Sequence, residues 1–263
     1  MDLNRISQDY KSNGFVSGID ILTPEEAEAH RLRLEQAEAQ VGPLHYKAKT
    51  HTILRSPFEL ATHPRVLDIV EALIGPDILL YDVTYIIKEP GTDSHVSWHQ
   101  DLTYWGLSDD AQVSLWMALT PATQESGCMR MIPGSQKSGR LEHKTIEDKS
   151  NVLFQGQTVE DVAEDSAVSC PLRPGQASFH HGWTLHASMP NRSADRRIGL
   201  NVQYIAPHVR QTKNDKDSAL CVRGQDTFSN FRMDQPAEGD LQPDAMQRWR
   251  DMDRLHIETQ SSS

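Results

Sequence analysis

The rhythm of hydrophobic and polar positions changes near residue 77. Before it the chain reads as helical. Thr23-Pro24-Glu25-Glu26 combines a capping threonine, a proline at the first helical position and acidic first-turn residues, and the run Ala27–Val41 continues with strong helix formers. A second helix is predicted over His63–Leu73, closed by Gly75-Pro76. Beyond it the pattern becomes one of short apolar and β-branched runs separated by Gly, Pro and Ser clusters. Strands are predicted at Ile78–Lys88, Val96–Asp101, Val113–Leu119, Met129–Ile132, Cys170–Leu172, Ala177–His180 and Arg197–Ile205. Asn151–Asp165 is polar and reads as a loop or lid. From Gln211 the tail is polar, with a short helix predicted over Pro243–Leu255 and disorder expected after about residue 256, including Gln260–Ser263. Many short strands behind a helical segment predict a mainly β fold, a sandwich or jelly roll. No repeat or composition shift divides the chain, so a single domain over residues 1–263 is expected.

Composition narrows the partners. Hydrophobic residues make up 37% and charged residues 24%, a soluble profile, and the longest apolar runs, such as Ile78–Tyr81, are far too short to cross a bilayer. No secretory leader pattern opens the chain. The formal charge is −11 and no lysine or arginine block stands out, which argues against nucleic acid and anionic membranes as partners. An anionic ligand would need a local basic pocket. Three cysteines, Cys128, Cys170 and Cys221, form neither a zinc pattern nor a disulfide framework, as expected of a cytoplasmic protein.

The sharpest local chemistry is Ser97-Trp98-His99-Gln100-Asp101. On a strand, positions i and i+2 share a face, so His99 and Asp101 can present an imidazole nitrogen and a carboxylate oxygen to one metal ion. A third ligand is expected from Phe179–Ser188, where His180, His181 and His186 compete. Two histidines and one carboxylate leave coordination positions open, the arrangement of Fe(II) oxygenases. A His-x-Asp triplet also arises often by chance. What gives this one weight is the Arg196-Arg197 pair at the start of an apolar strand. A buried arginine needs an anionic partner, and its planar fork suits a carboxylate.

The ordered set His99-Gln100-Asp101, Gly127-Cys128-Met129, Ile132-Pro133-Gly134-Ser135, Phe179-His180, His186-Ala187-Ser188, Pro190-Asn191 and Arg197 resembles the phytanoyl-CoA dioxygenase family of iron and 2-oxoglutarate oxygenases, from about Tyr10 to Gln211. The resemblance implies a double-stranded β-helix with flanking N-terminal helices, and Fe(II) held by His99, Asp101 and His186. It implies 2-oxoglutarate bound by Arg197, eleven positions beyond His186, with Ser188 assisting and Trp116 beside it, and O2 as the second cosubstrate. Halogenases of the family replace the carboxylate ligand with a small residue; Asp101 is present here, so hydroxylation is expected.

Within the family, Trp98–Leu107 and Arg197–Tyr204 are similar to a bacterial subgroup that includes hydroxylases of 2-aminoethylphosphonate and its trimethylammonium analogue. The resemblance implies hydroxylation at the carbon next to phosphorus and a functional link to a second oxygenase that cleaves the C–P bond. Candidate substrate contacts are Tyr104, Trp105, Asn201 and Gln203, the two amides alternating on one strand face, and the basic stretch Lys47–His51 with His51 at its end. The competing readings are the same chemistry on another small amine, a quaternary ammonium phosphonate or an amino-acid-like substrate, and, from a different class, a non-catalytic cupin-like metal-binding module.

Overall fold

Thr23 begins the long N-terminal helix as its capping pattern predicts. Its hydroxyl accepts the Glu26 N–H at 3.2 Å while the Glu26 carboxylate accepts the Thr23 N–H at 2.8 Å, satisfying two backbone donors that a helix start would leave orphaned. The computed structural model describes residues 1–148, 150–153 and 156–261. In chain order its elements are α1 (Leu3–Asn13), β1 (Phe15–Asp20), α2 (Pro24–Val41), α3 (Arg55–Ala61), α4 (Pro64–Ile74), β2 (Ile78–Lys88), β3 (Val96–His99), α5 (Leu102–Trp105), β4 (Gln112–Ala118), β5 (Met129–Met131), β6 (Lys144–Thr145), β7 (Gln157–Thr158), β8 (Val168–Cys170), β9 (Gln176–His180), β10 (His186–Ser188), β11 (Arg197–Ile205), β12 (Ser218–Arg223), β13 (Arg232–Met233) and α6 (Pro243–Ser261).

The strands form a seven-stranded sheet in the order β1-β9-β4-β11-β2-β12-β13, facing a four-stranded sheet β3-β10-β5-β8, with β6 and β7 as a separate ribbon. This is the jelly-roll architecture that the strand pattern predicts. Period-two alternation gives the large sheet two different faces. Val83, Tyr85 and Ile87 of β2, Val113, Leu115 and Met117 of β4, Phe179 of β9 and Ile198, Leu200 and Val202 of β11 point outward. They join Leu34, Leu60, Val66, Ile69 and Val70 of the helices in the main core. The intervening residues, Asp82, Thr84, Ser114, Trp116, His180, Arg197, Asn201 and Gln203 among them, line a cavity between the sheets or lie against its wall. Apolar clusters close the space between the sheets at its two ends. One is built around Ala118, Cys128, Met131, Cys170 and Leu172, the other around Leu79, Tyr81, Leu102, Trp105 and Val209.

Three expectations are corrected. The predicted strand Val96–Asp101 ends at His99, and Asp101 is helical in backbone (φ −56°, ψ −47°), opening α5. The tail helix does not stop at Leu255, and the chain is not disordered beyond residue 256: α6 runs to Ser261 and packs against the cavity mouth, while residues 262–263 lie outside the described residues. The 151–165 loop contains β7 and contributes Val152 and Leu153 to the cavity; residues 154–155 lie outside the described residues.

Candidate active site

His99 ends β3 and His186 begins β10, and the two strands pair with these residues opposite one another, which brings the rings within 4.0 Å of each other between centroids. Nδ1 of His99 lies 2.9 Å from the Ser97 carbonyl, and Nδ1 of His186 lies 3.0 Å from the Thr184 carbonyl. A carbonyl only accepts, so each Nδ1 carries the proton and each Nε2 presents a lone pair. The Asp101 carboxylate closes the group although it has left the strand. Its Oδ1 stands 3.5 Å from His99 Nε2 and 3.6 Å from His186 Nε2. All three donor atoms lie within 4.8 Å of one another, a set able to hold a metal ion.

Gln100 holds the bend that makes this possible. Fully buried, its amide donates to the Gly139 and Trp183 carbonyls at 2.8 Å each and accepts from Leu141 N–H at 2.8 Å. The other carboxylate oxygen of Asp101 is tied down. Oδ2 accepts from Ser114 Oγ at 2.8 Å and from His180 Nε2 at 3.1 Å, and Gln112 Nε2 donates to Ser114 Oγ at 2.9 Å, which directs the serine proton to the carboxylate. Burial pushes the Asp101 carboxyl up, but the imidazoles packed around it, His186 first and then His180 and His99, outweigh it and hold the carboxyl well below the usual range. Burial, with His99 adding, keeps His186 well below the usual imidazole range and therefore neutral. Of the competing histidines, His180 braces the carboxylate, and His181 points away, 3.8 Å from Asp110.

Arg197, Ser188 and Trp116 meet on the same cavity wall. The Arg197 guanidinium is 1% exposed. Nη1 donates to the Gly127 carbonyl at 2.9 Å, while Nε and Nη2 have no partner among the described residues. It lies over the Trp116 ring at 5.0 Å, and that indole crosses β11 at Gly199, where any Cβ would collide with it. Burial lowers the Arg197 pKa to about 10, so it stays charged at neutral pH. Lys88, opposite Arg197 in the β2–β11 register, donates to Ser188 Oγ at 2.7 Å and is pushed down to about 6, by burial first and then by Arg197. The charged Arg197 guanidinium with its two unpartnered N–H groups, beside a Lys88 amine that also donates to the Ser188 and Met189 carbonyls, forms a ready carboxylate site at one end of the cavity.

Tyr104, Trp105, Asn201 and Gln203 line the same cavity, of about 380 Å3. His51 does not. It is fully buried, 3.4 Å from Asp234, and the basic stretch containing it is committed to structure: Lys49 pairs with Asp234 at 3.3 Å and Lys47 with Asp253 at 3.1 Å. The sequence reading missed Lys88, Asp82 and Thr84, although polar residues at period two in the otherwise apolar β2 are a legible signal of an inward face. It also missed Tyr46 and the His256, Ile257 and Gln260 side chains of α6, for which the polar tail offers no signal.

A jelly roll with a two-histidine, one-carboxylate cluster in its mouth is the framework of non-haem iron enzymes. The chain belongs to the phytanoyl-CoA dioxygenase (PhyH) family, whose model matches residues 10–199. Among curated relatives it is 28% identical over 151 residues to a probable alpha-ketoglutarate-dependent hypophosphite dioxygenase from Stutzerimonas stutzeri, covering 56% of this chain and 52% of that one. It is 34% identical over 122 residues to phytanoyl-CoA dioxygenase 1 of Oryza sativa subsp. japonica, covering 46% and 42%. The matches thus span about half the length of these relatives. Among solved structures, the non-heme monooxygenase ThoJ in its apo form superposes with a TM-score of 0.86 at 30% identity over 98% of both chains. Its nickel complex gives a TM-score of 0.80 at 29% identity, over 98% of this chain and all of that one.

Proposed function

We propose that this single domain is an Fe(II)- and 2-oxoglutarate-dependent hydroxylase of a small polar substrate, with 2-aminoethylphosphonate, hydroxylated at the carbon next to phosphorus, as the first candidate. The observation that carries the reading is one cavity holding both halves of the required chemistry. At one point Asp101 Oδ1 faces two imidazole Nε2 lone pairs; at another the buried Arg197 guanidinium has two N–H groups with nothing to bind. These residues fit the groups: a nitrogen–oxygen donor set suits Fe(II), and a planar fork flanked by Lys88 and Ser188 suits the distal carboxylate of 2-oxoglutarate. Bound together, iron, 2-oxoglutarate and O2 supply oxidative decarboxylation coupled to oxygen insertion.

The protein's part is positional. Ser114 and His180 fix the carboxylate so that only Oδ1 is offered to the metal. Trp116 and Arg197 orient the cosubstrate, and Tyr104, Trp105 and α6 enclose the reacting space. Asp101 keeps a carboxylate where a halogenase would need a vacancy, which favours hydroxylation. For the substrate, support comes from the relative named for a phosphorus oxyanion and from the amide-lined wall. A second reading, the same chemistry on a different small amine, is favoured by the cavity lining, where Arg197 is the one lysine or arginine among the described residues. The test is an assay of succinate formation dependent on 2-oxoglutarate over a substrate panel, with phosphorus NMR on the aminophosphonates. A new hydroxyphosphonate resonance supports the first candidate. Succinate formation with a non-phosphonate amine and no phosphorus shift supports the second, and no succinate with any compound overturns both.

A further inference from the structure

Away from Arg197, the inner face of the large sheet carries a second polar group that metal and cosubstrate leave unused. Asp82, on β2, is 2% exposed and lines the cavity. Its Oδ1 accepts the Lys49 backbone N–H and its Oδ2 the Thr84 hydroxyl, both at 2.6 Å, and among the described residues no basic side-chain nitrogen pairs with it. The nearest ammonium group, that of Lys49, is spent on Asp234 and on the Tyr81 and Ser218 carbonyls; it feels Asp82 only after Asp234 and Asp217. Beside Asp82 in the sheet register stands Gln203, and one step along β11 on the same face stands Asn201. Gln203 is 5% exposed, and among the described residues neither amide has a side-chain hydrogen-bond partner; Gln203 Oε1 and Asn201 Oδ1 are buried without a donor there.

A buried carboxylate without a counter-ion and two amides without partners are each costly, and here they share one patch of wall. The patch is acceptor-rich, opposite in character to the Arg197 end, from which Asn201 and Gln203 are separated by four and six residues along the strand, on the order of 13 and 20 Å. Gln203 also lies opposite Ser114, which touches the candidate ligand Asp101, so Asp82 is two strands, roughly 10 Å, across the sheet from the metal side. Resting on the oxygenase reading for its context, we propose that this patch recognises a cationic nitrogen of the substrate, an alkylammonium or guanidinium group, with Asp82 as counter-ion and the Asn201 and Gln203 amide oxygens as further acceptors. Either amide can turn its oxygen to the cavity without giving up a bond. The nitrogen end of the substrate is then the end that this wall selects.

The test is calorimetric binding to the full chain loaded with 2-oxoglutarate and with Ni(II) in place of iron. The probes are 2-aminoethylphosphonate, 4-aminobutanoate and 4-guanidinobutanoate, each paired with the analogue in which methyl replaces the nitrogen group. At least one cation is expected to bind about tenfold or more tighter than its neutral partner. Asp82→Asn should reduce that preference to within about twofold, and Gln203→Met, which keeps size and leaves the carboxylate in place, should reduce it several-fold. Thermal unfolding of both variants checks that they fold, and Gln203→Met alone decides if Asp82→Asn does not. Neutral analogues binding as tightly as the cations, a preference that survives the substitutions, or no binding by any cation would each overturn the proposal. A cation preference that depends on Asp82, without succinate formation from any compound, would uphold this wall and count against the oxygenase reading alone.

Discussion

Asp101 owes its usefulness to an asymmetry between its two oxygens. One is held by Ser114 and His180, so the other is left facing two imidazoles. Outer partners of this kind commonly tune metal affinity by 10–100-fold. His180→Ala should therefore weaken Fe(II) binding by about that factor while leaving a detectable site, whereas His186→Ala should abolish it. Titration with a divalent ion reads both; equal loss in the two variants would promote His180 to a ligand. Arg197→Ala removes charge-assisted bonds worth roughly 1.5–3 kcal/mol each, so half-saturation by 2-oxoglutarate should rise at least about tenfold, and Lys at this position should restore only part, lacking the fork. Lys88 adds a pH signature. Its pKa of about 6 leaves it largely neutral at neutral pH, and an anion arriving beside Arg197 must raise that value. Binding of 2-oxoglutarate near pH 7 should thus take up a proton, visible as a calorimetric heat that varies with buffer ionisation, and affinity should fall as pH rises further. Heats independent of buffer would show that Lys88 does not answer the anion.

The elements differ in how far local pattern governs them. β2 and β11 have the limits that their runs of apolar and β-branched residues predict, Ile78–Lys88 and Arg197–Ile205, because both are long central strands whose outward face fills the main core. Leu200, wholly buried there, should cost about 2–5 kcal/mol on truncation to alanine, measured by denaturant unfolding. β3 is shorter than its pattern because the Gln100 amide captures three backbone groups and turns the chain; a tertiary staple of this kind leaves no periodic trace. Strand alternation predicts that His99 and Asp101 share a face; the structure brings them within 3.5 Å of each other by a turn instead. The basic stretch Lys47–His51 misled in the opposite way. Its charges look like a ligand site in sequence, yet Lys49 and His51 meet Asp234 inside the protein, a partner 183 or more residues away that no local rule connects. Burial raises the Asp234 carboxyl, but Lys49 and His51 outweigh it and hold it below the usual range, so this pairing stabilises above the unfolded carboxylate value and is lost as acid titrates it. Asp234→Ala, leaving the buried Lys49 ammonium with the Tyr81 and Ser218 carbonyls but without its ion-pair partner, should cost about 3–5 kcal/mol in unfolding experiments at neutral pH.

On the scale of the whole molecule, the two faces of one sheet divide the labour. The outward face, packed under five helices, α1 to α4 and α6, makes the inward face rigid enough to hold unpaired charges and orphaned amides that would otherwise favour rearrangement. The candidate cosubstrate end, the candidate metal ligands and the acceptor-rich wall then share a single cavity, with α6, Val152 and Leu153 at its rim. The ordered motifs carried the fold and the metal group in the sequence. The substrate wall was only half legible, because Asp82 is identified by what it lacks, a counter-ion, and a missing partner is visible only once all neighbours are in place. On the function proposed above, one cavity binds a metal and 2-oxoglutarate through His99, Asp101, His186 and Arg197. Visible absorption of the anaerobic protein titrated with Fe(II) and 2-oxoglutarate tests it most directly. A charge-transfer band should grow to one equivalent of each, be absent from Asp101→Ala and His186→Ala, persist in His181→Ala, and need far more 2-oxoglutarate in Arg197→Ala. No band in the unmodified protein, or an undiminished band without Asp101 or His186, would contradict it.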